Sequence, residues 1–209
     1  MEERKSTCSF VLFACLSVAQ SVVAANPSVV YDSLTNGSIL GGGYILGTDH
    51  VGEILSLSGT SRRVSQIDFA LKEFTILDSE LDFRVALWSA EGIPGELIWI
   101  SPVQHTELTA RVPKIVSVDV PYVSVPNTLG WSVVEVFSTN SPGLPASSLP
   151  TVGTSNAVMY QTYGVWSSIP WNDGALGVRI TAVSEPTNTL LLLLGTMYLL
   201  IFRPSGLRI

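Results

Sequence analysis

Asp82-Phe83-Arg84-Val85-Ala86-Leu87-Trp88-Ser89-Ala90-Glu91-Gly92-Ile93-Pro94-Gly95-Glu96-Leu97 is the stretch that decides the fold. Phe83, Val85 and Leu87 share one parity, and Asp82, Arg84 and Ala86 the other. Such alternation marks a strand with one face in a core and the other mixed. Pro94-Gly95 suits a type II turn, since proline pre-sets the first central φ and glycine takes the positive second one. Glu96 to Ile100 then reads as a further strand, so the segment predicts two strands joined by a hairpin connection.

The same period extends outward from this stretch. Ile67, Phe69 and Leu71 alternate with Gln66, Asp68 and Ala70, and Val116, Val118 and Val120 alternate with Ser117 and Asp119. Trp131, Val133 and Glu135 share one parity while Val134 and Val136 fill the other, which predicts a strand covered on both faces. Val178 to Ala182 is another candidate. No window of a dozen residues within 26–183 carries an amphipathic helical pattern, and Gly, Pro, Asn and Ser punctuate the runs. The expected class is all-β: a single two-sheet sandwich, jelly-roll-like, of about six to nine strands, with a closed barrel as the alternative.

The 209 residues carry 46% apolar and only 13% charged side chains, with 17 acidic against 11 basic residues. That hydrophobicity excludes intrinsic disorder. The acidic balance excludes a nucleic-acid surface, which needs clustered Lys and Arg against phosphates. Within 26–183 there are 14 acidic and 7 basic residues, and 32 Ser and Thr, so hydroxyls supply much of the polar surface.

The ends are different. Residues 1–25 have Arg4 and Lys5 ahead of an uncharged apolar run from Ser9 to Val23, with small residues at Val23-Ala24-Ala25. This is the pattern of a secretory signal peptide cut by signal peptidase near Ala25. Both cysteines, Cys8 and Cys15, fall inside it, so the domain at 26–183 has no disulfide to rely on. At the other end, Ser184-Glu185-Pro186 precedes an uncharged stretch at 187–202, and Arg203 and Arg208 follow. Sixteen residues of helix reach about 24 Å, a short membrane span that Arg203 could anchor from the cytoplasmic side.

A Glu-Pro motif, one short apolar span and following arginines resemble the PEP-CTERM sorting signal of exported bacterial proteins, with Ser184 standing where the family has its first proline. That resemblance implies recognition of segment 184–209 by an exosortase, a membrane-embedded cysteine protease, and delivery to the cell surface or extracellular matrix. A plain C-terminal membrane anchor is the alternative. The strand Phe83 to Trp88 with its Gly92-Ile93-Pro94-Gly95 turn, together with Leu129-Gly130-Trp131-Ser132-Val133-Val134 and Pro150-Thr151-Val152-Gly153-Thr154-Ser155, is similar to the "choice-of-anchor" β-sandwich domains found ahead of such tails. No catalytic activity comes with that likeness.

Little in the domain points to chemistry. His50 and His105 are the two histidines, and neither sits in a nucleophile motif; both read as exposed loop residues. Zinc lacks a cysteine or a paired-histidine spacing. Asp78, Glu80 and Asp82 share parity and offer hard oxygen ligands of the kind calcium takes, although an acidic solvated turn needs no ion. No cofactor is expected, and the protein is read as non-enzymatic. Tyr160, Tyr163, Trp166 and Trp171 crowd one Gly/Ser/Asn-rich stretch. They could stack on sugar rings, which would make the domain a carbohydrate-binding module or adhesin that meets exopolysaccharide, or they could cap the open end of the core.

Overall fold

A computed structural model describes residues 26–35, 42–171 and 174–184. Pro27–Val183 form one compact unit, and no helix occurs among the described residues. The strands are β1 (Ser28–Asp32), β2 (Gly43–Ile45), β3 (Val51–Ser56), β4 (Arg63–Glu73), β5 (Ser79–Ala90), β6 (Pro94–Ile100), β7 (Gln104–Leu108), β8 (Lys114–Ser124), β9 (Thr128–Ser138), β10 (Pro142–Ser147), β11 (Thr154–Thr162), β12 (Val165–Pro170), β13 (Ala175–Leu176) and β14 (Val178–Val183).

These fourteen strands make two seven-stranded antiparallel sheets. The first runs β1-β14-β4-β10-β13, with β2 on β10 and β8 on β4. The second runs β12-β11-β3-β9-β5-β6, with β7 on β5. More strands are described than the six to nine expected; part of the excess is β10, which carries two prolines and no alternation, and part is β2 and β13, of three and two residues. Runs that short carry no readable period.

Parity decides which side chains go inside. Ile67, Phe69 and Leu71 of β4 are fully buried, as are Phe83, Val85 and Leu87 of β5 and Trp131 and Val133 of β9. All belong to one apolar cluster that joins the two sheets. At its centre Phe69, from the first sheet, meets two rings of the second. It stands edge-on to Phe83, with centroids 5.7 Å apart and planes at 87°, and lies 5.7 Å from Trp131.

Two expectations need correction. The tight turn after β5 is formed at Glu91-Gly92-Ile93, not at Pro94-Gly95: Gly92 takes φ +83°, and Pro94 already pairs with Ala90. A Cβ on Gly95 would lie 2.7 Å from Ser89 Oγ, so that glycine serves close packing against β5. Strand β9 is covered on both faces only in its first half, where Ser132 is buried, whereas Val136 is 51% exposed. Glu185, Pro186, Arg203 and Arg208 lie outside the described residues, as do residues 1–25. Among the described residues no helix is long and apolar enough to cross a membrane.

Because Phe69 fills the gap between sheets and no small group could replace its volume, Phe69→Ala should lower unfolding free energy by about 3–5 kcal/mol. Urea denaturation followed by tryptophan fluorescence measures this. A loss below about 1 kcal/mol would show that the ring does not hold the sheets together.

Candidate functional site

The four aromatics expected to act together are placed in three different settings. Tyr160 and Trp171 pack partly buried against the main core, Trp171 standing edge-on to Tyr44 at 5.9 Å. Tyr163 is 95% exposed at the β11–β12 turn, with φ +51°. Trp166 sits on the opposite face of the second sheet, in a small separate cluster with Trp88, Ile54, Ala90 and Met159.

That outer-face cluster follows from small residues in the sheet. Trp88 on β5 and Trp166 on β12 start four strands apart, roughly 19 Å at a spacing of about 4.8 Å. Their rings still meet, with centroids 5.1 Å apart and planes at 73°. Gly130 leaves room beneath them; a Cβ there would sit 3.2 Å from both Trp88 Cβ and Met159 Sδ. His50 completes the group, 5.3 Å from Trp88 and 5.8 Å from Trp166.

Trp88 Nε1 donates to Ser132 Oγ at 2.9 Å, and Ser132 Oγ lies 3.0 Å from His50 Nδ1. Ser132 is fully buried, so its own hydroxyl proton is best given to Nδ1, which assigns the N–H of the ring to Nε2. Burial holds the His50 pKa below its ordinary value, although the Asp49 charge pulls the other way. His50 is thus a half-buried, neutral loop residue rather than an exposed one. His105 departs in the other sense: it is exposed but lies within β7. Its Nδ1 is 2.7 Å from Asp82 Oδ1, a hydrogen bond that raises its pKa.

The acidic trio is divided among separate tasks. Asp78 accepts the Ala110 N–H at 2.8 Å, Asp82 holds His105, and Glu80 faces Glu107 across the β5–β7 pair. A shallow pocket of about 400 Å³ lies beside Asp78 and Glu80. Among the described residues no three His, Cys, Asp or Glu side chains gather as metal ligands.

A larger groove, about 470 Å³, opens where β2 and the loop to β3 pass β11 and β12. Tyr44, Thr48, Asp49, Tyr160, Gln161 and Ile169 are among its lining residues. Trp171 braces Tyr44 from one side. Asp49 Oδ2 accepts the Tyr163 N–H at 3.4 Å, and Gln161 N–H donates to His50 O at 2.8 Å, so the loop and the β11–β12 hairpin are tied together at the rim. Of the aromatics singled out by sequence, Tyr160 lines this groove and Tyr163 stands beside it. Tyr44 and Asp49 were missed as partners because nothing local in 44–49 signals that β11 lies opposite.

Sequence reading also missed the buried acid Glu53. It is fully enclosed between the sheets, accepts a short hydrogen bond from Ser155 Oγ, and accepts the Leu176 N–H of the first sheet at 3.2 Å. Tyr31 Oη and Trp131 Nε1 are its neighbours, both buried without a fully formed hydrogen bond. Burial pushes the Glu53 pKa up to about 8, against the partial opposition of these donors, so the group is protonated at neutral pH. Burial likewise drives the Tyr31 hydroxyl upward, helped by the nearby Glu53 charge. The signal that could have found the acid is the single Glu in the apolar run Val51-Gly52-Glu53-Ile54-Leu55.

Comparison with protein-family models, with curated proteins and with solved structures returned no match.

A raised carboxyl pKa means that the unfolded chain ionises first as pH rises. Stability should therefore fall from near pH 4.5 to near pH 8, by at most about 1.4 kcal/mol per pH unit from this group, and then level off. Glu53→Gln should remove that slope while leaving other pH effects in place. Urea midpoints at pH 5, 6, 7 and 8 for both proteins provide the check, and parallel profiles would refute the assignment.

Proposed function

We propose that this is an exported, non-enzymatic protein of the cell surface or extracellular matrix, sorted through its C-terminal segment. Signal peptidase removes residues 1–25, the span at 187–202 holds the chain in the membrane, and an exosortase acts near Ser184-Glu185-Pro186. The observation that carries this reading is the arrangement of the sequence. A positively charged apolar leader, and a Glu-Pro motif followed by a short apolar span with Arg203 and Arg208, flank a compact β unit that ends at Val183. Non-consecutive neighbours such as β3-β9-β5 and β14-β4-β10 support a jelly-roll-like description of that unit. Its role is then structural or adhesive, within exopolysaccharide, and no catalytic step is assigned to it.

A second reading, a carbohydrate-binding module or adhesin anchored at the same surface, is favoured by the Tyr44–Tyr160 groove. Flat aromatic rings, an acid and a hydroxyl line one concave site there.

In a host that carries an exosortase, mass spectrometry of the surface-exposed protein should find the chain beginning near Asn26 and ending near Ser184 to Pro186. An intact end at Ile209 on surface protein would overturn processing and leave a plain membrane anchor.

A further inference from the structure

We infer that the groove between Tyr44 and Tyr160 is a binding site for a neutral saccharide, with Thr48 and Asp49 hydrogen-bonding its hydroxyls. The inference rests on the carbohydrate-binding reading and assigns it a site and a ligand class. Its volume, about 470 Å³, lies in the range of small-molecule sites. The tyrosine rings offer flat apolar faces, while Asp49 supplies an acceptor and the Thr48 hydroxyl both a donor and an acceptor. A pyranose ring has the matching form, an apolar C–H face surrounded by hydroxyls.

Charge selects among saccharides. No Lys or Arg is among the described lining residues, and Asp49 is the one carboxylate there. The domain has twice as many acidic as basic residues. An anionic chain of uronate, sulfate or phosphate groups would be repelled, and a neutral one would not. A lone carboxylate also separates this groove from a glycosidase centre, which places two across the scissile bond.

The outer-face tryptophans are the competing location, and they are poorer candidates. Trp88 Nε1 is already bonded to Ser132, and the Trp88 and Trp166 rings cover Ile54, Ala90 and Met159. They serve as a lid on a small core. In the groove, by contrast, Tyr163 is tethered through its N–H to Asp49 and is 95% exposed, so a longer chain leaving the site has a further ring beside it.

The full chain, held in a zwitterionic detergent that carries no sugar headgroup, should be titrated calorimetrically with neutral oligosaccharides of glucose, mannose, galactose and xylose. Oligogalacturonate serves as the charged comparison. Saturable binding to a neutral member is expected, weakened about tenfold or more by Asp49→Asn and by Tyr160→Ala, and unchanged in Trp166→Ala. Thr48→Ala, on an exposed residue of the groove, gives an independent variant should Tyr160→Ala fail to fold. Binding that survives Asp49→Asn and Thr48→Ala overturns the site while leaving the carbohydrate reading intact. Preference for oligogalacturonate overturns the neutral ligand class. No binding to any member overturns both the site and the reading on which it rests.

Discussion

The contact of Phe69 with Phe83 and Trp131 is the interaction on which the rest depends. Residues 26–209 contain no cysteine, so no covalent link can join the two sheets. They must be held by what lies between them. Phe69 reaches from β4 into the second sheet and meets two rings at 5.7 Å. Strands β4, β5 and β9 are also among the longest, at 11, 12 and 11 residues. Each of them therefore presents several inward side chains along the same interface, and the shorter strands add to sheets whose spacing these three have set.

Glu53 adds direction to that apolar contact. An apolar core tolerates small slips between sheets, but a buried carboxyl accepting a backbone N–H from the opposite sheet does not, because misplacement leaves it unpaired at a cost of a few kcal/mol. The partner on its own sheet is brought in by a register irregularity. Between Ser155 and Ala157 the β11–β3 pairing gains a residue, which turns Ser155 inward to meet Glu53. Without that bulge Ser155 would share the parity of Met159 and face outward. Proton uptake supports the arrangement, since a neutral carboxyl between sheets is far less costly than a carboxylate.

How much of this was legible depends on the range over which each feature is encoded. The inward faces of β4, β5, β8 and the first half of β9 are written in alternation, a purely local signal, and they lie where the parity places them. The proline-containing strand β10 is not. Pro142-Gly143-Leu144-Pro145-Ala146-Ser147 has no polar–apolar alternation, yet it is buried throughout and pairs with β2, β4 and β13. Its prolines lack N–H groups and contribute carbonyls instead, Pro142 O accepting from Leu46 N at 2.8 Å. Crowding of aromatics at 160–171 was visible, but not its division. One side of the sheet or the other is decided by the β11 bulge and by β12 pairing residue for residue with β11 from Ala157↔Pro170 to Thr162↔Val165. Only then does Trp166 go to Trp88, and Tyr160 to the groove.

The groove itself follows from a mismatch between the sheets. Strand β12 is an edge strand of the second sheet, and Val165 and Ile169 on it remain 67% and 47% exposed. Among the described residues the first sheet brings the three residues of β2 to this groove, paired to β10 through Tyr44↔Leu144. Where one sheet extends past the other, the inward parity of the longer one has no apolar partner and meets solvent instead. A fully apolar lining would make such a ledge a site for aggregation. Tyrosines, with Thr48, Asp49 and Gln161, give it a polar edge that water tolerates, and the same mixture of flat ring and hydrogen-bonding rim is what a saccharide requires. The overhang that leaves the core incomplete is therefore also what gives the sandwich a concave surface with recognition chemistry on it.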